Sequence, residues 1–376
     1  MDPLRLLFEL IAIDSVNPAL VPGGAGERAM ADFLANHLRR AGFDVECRDA
    51  APGRPNVVAV ADGAGPGPTC MLCGHTDTVG VDGMRAPFDP VLRDGRVYGR
   101  GAQDMKGGLA AMIAAAETWL RSGRTGAGRV VVACVADEEH ASVGAEALAR
   151  DWRADAAVVP EPTDLSIGVA HKGFAWVTVT TLGKAAHGSR PQEGRDAVMH
   201  MGRVLARLET LDRTLQGQGT HPRLGRPSLH AGRVEGGGEL SVYPARCTLE
   251  IERRTLPHEP ADVAIDEVRA ILAELSAADP AFAGDARLLL ARPGYEIPTR
   301  AALPQALARA AAAEGIEPVF TGTSFWTDAA LLADAGIPAV LFGPRGGGLH
   351  GADEFVVADD VARCGAVLAR WLSDPG

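Results

Sequence analysis

Four apolar runs, CMLCG (70–74), VVVACVA (130–136), AAVV (156–159) and PAVLFG (338–343), are hydrophobic at successive positions rather than alternate ones. An alternating strand buries one face. A continuously apolar strand is covered on both, as in a parallel sheet between two helix layers. Helical spacing fills the intervals, over 26–41, 105–122, 144–151, 302–314, 327–335 and 359–373, with two further strands at 43–48 and 55–61. This pattern predicts an α/β fold with a doubly wound, mostly parallel sheet.

From about Phe174 the period changes. FAWVTVTTLG alternates, a helix is expected over 196–215, SLHAGRVEGG and ARCTLEIERRTL read as strands, and 261–275 as a helix. Alternating strands with helices on one side suggest a small α+β module whose antiparallel sheet has one face in water. After about Tyr295 the first pattern resumes. At 376 residues the chain exceeds one ordinary core. The expected organisation is a first domain formed by 1–172 and 292–376, interrupted by an inserted domain at 173–291.

Formal net charge is −11 with the basic residues dispersed, which argues against nucleic acid and anionic membrane as partners and favours a small-molecule substrate. The first residues, MDPLRLLFELIAIDSVNP, are interrupted by Asp2, Glu9 and Asp14 and read as a helix rather than a signal peptide. With no apolar stretch of membrane-spanning length, a cytoplasmic protein is expected. The six cysteines are scattered, and Cys70 and Cys73 fall within one strand where residues three apart face opposite ways, so buried free thiols are expected.

In an open parallel sheet, ligands bind outside the carboxyl ends of the strands. Acids and imidazoles stand at those ends. His75 and Asp77 close one strand in GHTDTV, and a neutral imidazole beside a carboxylate suits zinc. Asp104, in GRGAQDMKGG, precedes a helix; it is placed to cap that helix, and its two oxygens could also bridge two cations. Glu138 and Glu139 end a buried run, where adjacent carboxylates are expensive to desolvate without counter-charge, and one can ligate while the other takes a proton from water. Glu161 sits before Pro162, and His350 follows the Gly346–Gly348 run.

GHTDTV, GRGAQDMKGG, DEE, VPEPT and GLHGADEF, in that order, resemble the co-catalytic zinc metallopeptidase family of acetylornithine deacetylase, succinyl-diaminopimelate desuccinylase, aminoacylase and glutamate carboxypeptidase. The resemblance covers nearly the whole chain. It implies two zinc ions, with cobalt or manganese as substitutes. Asp104 would bridge them, His75 and Glu161 would complete one site, and Glu139 and His350 the other. Glu138 would be the general base and Asp77 the partner orienting His75.

The insert resembles the family's lid and dimerisation domain. His187, in GKAAHGSRPQEGRDAV, matches a histidine that in family dimers reaches the neighbouring subunit's site, implying a homodimer through the lid. Arg253 or Arg254, in ERRTLP, falls where the family places an arginine that grips a substrate carboxylate. Ser241 stands where many relatives carry a substrate-contacting asparagine, and Gly322, Thr323 and Ser324 are candidates for the pocket wall. His171 reads as structural. The implied activity is removal of the acyl group from an N-acyl amino acid. A carboxypeptidase or dipeptidase using the same metals is the alternative within the class, and a non-catalytic metal- or ligand-binding relative the alternative outside it.

Overall fold

The computed structural model describes residues 2–376. The chain forms two compact units. One runs through Val169 and resumes with Ile297–Gly322 and Thr327–Gly376; the other comprises Ala170–Glu296 and Thr323–Trp326.

In the first unit a mixed sheet runs in the order Asp44–Ala51, Arg54–Asp62, Arg129–Val135, Thr69–His75, Ala156–Val159, Ala339–Leu341, with Ile167–His171 beyond. Its centre is parallel: Thr69–His75 pairs in parallel with Arg129–Val135 and Ala156–Val159, and Ala339–Leu341 pairs in parallel with Ala156–Val159. The outer strands Asp44–Ala51 and Arg54–Asp62 are antiparallel. All residues of Cys70–His75 and Val130–Val135 are buried, as strands covered on both faces must be. Parallel strands share one carboxyl edge, and the register puts His75 opposite Val135 there.

Helix Gly107–Arg121, nearly all buried, packs against helix Ala358–Ser373 and against Pro3–Ile11. Its start lies close under the sheet edge. A Cβ on Gly108 would come within 2.0 Å of the Pro160 carbonyl oxygen, so only glycine lets the helix begin beside the strand that leads to Glu161. A separate small sheet, in the order Gly346–Gly347, Phe355–Val357, Arg96–Tyr98, Val91–Arg93, ties the approach to Asp104 to the loop carrying His350.

The second unit is a four-stranded antiparallel sheet in the order Ser228–Gly236, Arg246–Thr255, Gly173–Leu182, Ala283–Arg292. Val177, Val179, Leu249 and Ile251 alternate onto one face and form a core with Met201, Val204, Leu208, Ile265, Val268 and Leu272 of helices Ala197–Gly217 and Val263–Ala278. The opposite face carries the half-buried Trp176, Thr178, Glu250 and Glu252. The Ala283–Arg292 strand was not anticipated from the sequence. All six cysteines are free, with Cys70 and Cys73 both buried. Among the described residues no helix is long and apolar enough to cross a membrane.

Candidate metal centre

At the carboxyl edge of the parallel strands, Asp104 lies between two imidazoles. His75 Nε2 is 3.0 Å from its Oδ1, and His350 Nε2 is 3.2 Å from its Oδ2. Around His75, Glu161 Oε1 stands at 3.9 Å and Glu138 Oε2 at 4.0 Å. Glu139 Oε2 approaches His350 Nε2 to 3.2 Å. Two donor groups result, His75–Asp104–Glu161 and Asp104–Glu139–His350, the donor atoms of each lying within 4.8 Å of one another. The two share Asp104. The adjacent glutamates diverge, Glu139 toward His350 and Glu138 toward His75.

The Asp104–Met105 peptide bond is cis, and Asp104 has extended φ/ψ of −121° and 97°. It does not cap the following helix, which begins after Lys106 without a side-chain cap. Both of its oxygens face the imidazoles instead.

The charges do not balance within the protein. Burial opposes a proton on His75, yet hydrogen bonds to Asp104 and Asp77 push its pKa well above the usual imidazole value. His350 rises to about 10 through its bonds to Asp104 and Glu139. Burial would raise Asp104, but those same imidazoles hold it below the ordinary carboxylate range. Burial then pushes up the glutamates: Glu138, with Glu161, Asp328 and Glu139 adding to it against His75; Glu161, with Asp104 adding; and Glu139, to about 7, with Asp104 adding. Glu139 Oε1 is buried without a hydrogen-bond partner. Clustered buried carboxylates with too few cations need positive charge, which a metal supplies.

The donor set fits divalent zinc: each group offers one imidazole nitrogen and carboxylate oxygens. Donors about 2 Å from a common tetrahedral centre stand roughly 3.3 Å apart, and the distances from His75 Nε2 to Asp104, 3.0 Å, and to Glu161, 3.9 Å, bracket that value.

A buried polar network holds this arrangement. His75 Nδ1–H donates to the Asp77 carbonyl oxygen at 3.0 Å, which turns Nε2 toward Asp104 as the nitrogen that would face a cation, while the Asp77 carboxylate is 3.6 Å away. Asp77 thus orients His75 mainly through its main chain. Its carboxylate accepts the backbone N–H of Glu138 at 3.1 Å and of Glu139 at 3.2 Å, fixing the turn that presents both. Fully buried Asn17 donates through Nδ2 to Asp77 at 2.7 Å and to Asp137 at 3.0 Å, and Arg54 joins Asp137 at 2.9 Å and also pairs with buried Glu27. Sequence reasoning missed Asn17, Asp137, Arg54, Glu27 and Asp328. A polar residue directly before Pro18, in the run that opens the chain, was the one available signal for Asn17.

The other predicted residues lie in the second unit, apart from Gly322. His187 is exposed, its Nδ1 2.8 Å from the Ser189 hydroxyl. Exposed Ser241 accepts the Gly188 N–H at 2.7 Å, so these two share adjoining loops. Arg253 is fully buried, its guanidinium bound by Glu259 at 2.6 Å and Glu267 at 3.1 Å. Arg254 points to the other face of the strand, where its Nε donates to Glu252 at 2.5 Å while Trp176 Nε1 donates to the other Glu252 oxygen at 2.9 Å. Gly322 and Thr323 end the strand Phe320–Thr323; Thr323 is buried and its hydroxyl donates to the Phe325 carbonyl oxygen at 3.3 Å. Buried His171 donates through Nδ1 to the Lys172 carbonyl oxygen and packs against Tyr295 and Trp326.

A family model for peptidase family M20/M25/M40 matches residues 71–374. Acetylornithine deacetylase of Myxococcus xanthus is 34% identical, over 98% of this chain and 96% of its own length. Succinyl-diaminopimelate desuccinylase of Methylobacterium radiotolerans is 31% identical, over 98% and 95%. A solved dinuclear metal-binding M20 peptidase of Bacillus subtilis shares the fold, with a TM-score of 0.76 at 16% identity over 99% of this chain and 96% of its own. The protein belongs to peptidase family M20/M25/M40 and is a hydrolase of that family.

Proposed function

We propose that the protein is a two-metal amidohydrolase that removes the acyl group from an N-acyl amino acid. The observation that carries this reading is the shared carboxylate: Asp104 presents one oxygen to each of two imidazole-bearing donor groups. His75, Asp104 and Glu161 would hold one ion, and Asp104, Glu139 and His350 the other. Zinc suits these donors best, with cobalt or manganese able to replace it. When bound, the cations would supply Lewis-acid polarisation of the scissile carbonyl and positive charge for the oxyanion that develops.

Glu138 is the one glutamate of the cluster outside both donor groups. Its carboxylate takes a proton from the attacking water and returns it to the leaving nitrogen. Asp77 and Asn17 keep Glu138 on its rigid turn. Of the two arginines, Arg254, whose side chain is 31% exposed with Nε tied to Glu252 and its guanidinium over the Phe174 ring, is the one assigned to a substrate carboxylate. Arg253 is already committed to two glutamates. Ser241, Gly322 and Thr323 are proposed as substrate-contacting positions on the resemblance to the family alone.

The acyl-amino-acid substrate is supported by relatives named for such reactions at 34% and 31% identity along nearly the whole chain. We infer a homodimer through the second unit, with His187 of the partner subunit polarising the substrate carbonyl. Its edge strand Ser228–Gly236 leaves Val234 58% exposed, a strand edge of the kind that pairs with another copy. Six free cysteines accord with a reducing, cytoplasmic setting. The test is hydrolysis by the zinc-loaded protein of N-acetyl amino acids, N-succinyl amino acids and dipeptides. Turnover confined to the acylated amino acids supports the reading, turnover confined to dipeptides replaces it with a peptidase, and two bound zincs with silence throughout points to a non-catalytic relative.

A further inference from the structure

We propose that Glu354 is a positioning residue that sets the spacing between Asp104 and His350, and through it the second metal group; the proposal rests on the two-metal reading above.

Glu354 is 1% exposed, and both of its oxygens are fully engaged. Oε2 accepts from Arg100 Nη1 at 2.6 Å and from the Gly101 N–H at 2.9 Å. Oε1 accepts from the Gln103 N–H at 2.9 Å and the Asp104 N–H at 3.1 Å. Its own carbonyl oxygen accepts the Gly99 N–H at 3.3 Å. One side chain therefore gathers the Gly101, Gln103 and Asp104 N–H groups of the turn that delivers Asp104. That turn is open to adjustment, because Gly101 adopts a left-handed φ of 79° and no side chain caps the helix beyond it.

On its own strand side, Glu354 stands four residues after His350. The His350 loop folds back through Gly348, with a left-handed φ of 75° and the Gly351 N–H bound to the Gly348 carbonyl at 2.7 Å. It then enters Phe355–Val357, which pairs with Arg96–Tyr98. The two metal-bearing loops thus spring from paired strands, and each has a glycine that would let it drift. Beyond the strand ends Glu354 links them, directly to the Asp104 turn and through Arg100, whose Nη2 also donates to the His350 carbonyl oxygen at 3.5 Å. With it in place, Asp104 Oδ2 and His350 Nε2 stand 3.2 Å apart. The other group, His75–Asp104–Glu161, draws His75 and Glu161 from parallel strands and depends less on this link.

Glu354→Asp withdraws the carboxylate by one methylene; it can still face Arg100 but cannot also span from the Gly101 N–H to the Asp104 N–H. Glu354→Gln keeps the size but turns an NH2 against two N–H donors. The aspartate keeps a charge opposite Arg100 and so guards against loss of the fold. Metal-free wild type and both variants are titrated with zinc against a chromogenic chelator, with the melting temperature of each metal-free protein recorded and cobalt spectra compared. The expected result is two ions in the wild type. In a variant whose metal-free form melts like wild type, the ion of the Asp104–Glu139–His350 group is weakened by about 10–100-fold, the usual effect of disturbing groups that orient ligands, and the other ion by less, with an altered cobalt spectrum. Two ions at wild-type affinity in a folded variant would overturn the proposal. If the wild type itself binds no zinc, the two-metal reading fails, and this one with it.

Discussion

Asn17 touches none of the proposed donors, yet its replacement is expected to damage both stability and turnover. In Asn17→Ala the hydrogen bonds to Asp77 at 2.7 Å and Asp137 at 3.0 Å are lost, together with the Ala19 N–H bond to the asparagine oxygen at 2.9 Å. Bonds to charged acceptors contribute about 1.5–3 kcal/mol each, so the two sum to about 3–6 kcal/mol. The remaining partners soften the loss, since Asp77 keeps two backbone N–H donors and Asp137 keeps Arg54. An entering water would soften it further. The expected destabilisation is thus near the low end, about 3 kcal/mol, a large share of a typical ~5–15 kcal/mol. Urea unfolding of metal-free protein measures it as a lower midpoint at unchanged slope. Release of Asp77 also loosens the Glu138–Glu139 turn, so kcat should fall by about 10–100-fold. Asn17→Asp should be worse, since it puts a third carboxylate between two. A destabilisation under about 1 kcal/mol with kcat unchanged in Asn17→Ala would refute the network's role.

Arg253→Met strands Glu259 and Glu267 and should destabilise the protein by about 3–5 kcal/mol, read by denaturant unfolding. Arg254→Ala should leave the melting temperature nearly unchanged and raise KM by roughly tenfold or more, as loss of a carboxylate clamp does, read by steady-state kinetics. Burial lowers His171 to about 4 despite its bond to the Lys172 carbonyl. The unfolded imidazole titrates near 6.5 and so takes up its proton first as pH falls. Its contribution is intact above about pH 6.5 and is lost toward pH 4, about 3 kcal/mol in all; unfolding free energies of wild type and His171→Phe across that range should converge toward acid pH. Chelation should abolish turnover and lower the melting temperature, with both restored by zinc, as expected when a ligand binds only the folded state.

The parallel core was legible because strands buried on both faces leave unbroken apolar runs, and the acids at their ends stood out against that background. His75, Glu138, Glu139 and Glu161 could be singled out for this reason, whereas Asp104 and His350, which flank strands of the small separate sheet, stood out through their glycine-rich motifs and the resemblance. The second unit's alternation was legible too, and it held more than was drawn from it. Cys247, Leu249 and Ile251 mark the buried face of their strand, so Arg253 belongs with the core and Arg254 with the open face. The Ala283–Arg292 strand was hidden because Leu288, Leu289 and Leu290 interrupt its alternation at a register shift. Asn17, Arg54 and Glu354 could not be found from spacing. Each works by meeting backbone or carboxylates far away in sequence, at a register set only by the folded sheet edge, and none lies in a periodic run.

The central claim is that Glu138 moves the proton while the other five side chains hold the metals. Glu138→Gln keeps the shape and leaves both donor groups untouched. Its zinc content and its kcat on an N-acyl amino acid, measured beside wild type, test the claim directly. The account predicts two zincs per chain with kcat lower by at least about 10²–10⁴-fold, the range for a lost general base. Turnover near the wild-type rate with both zincs bound would contradict it.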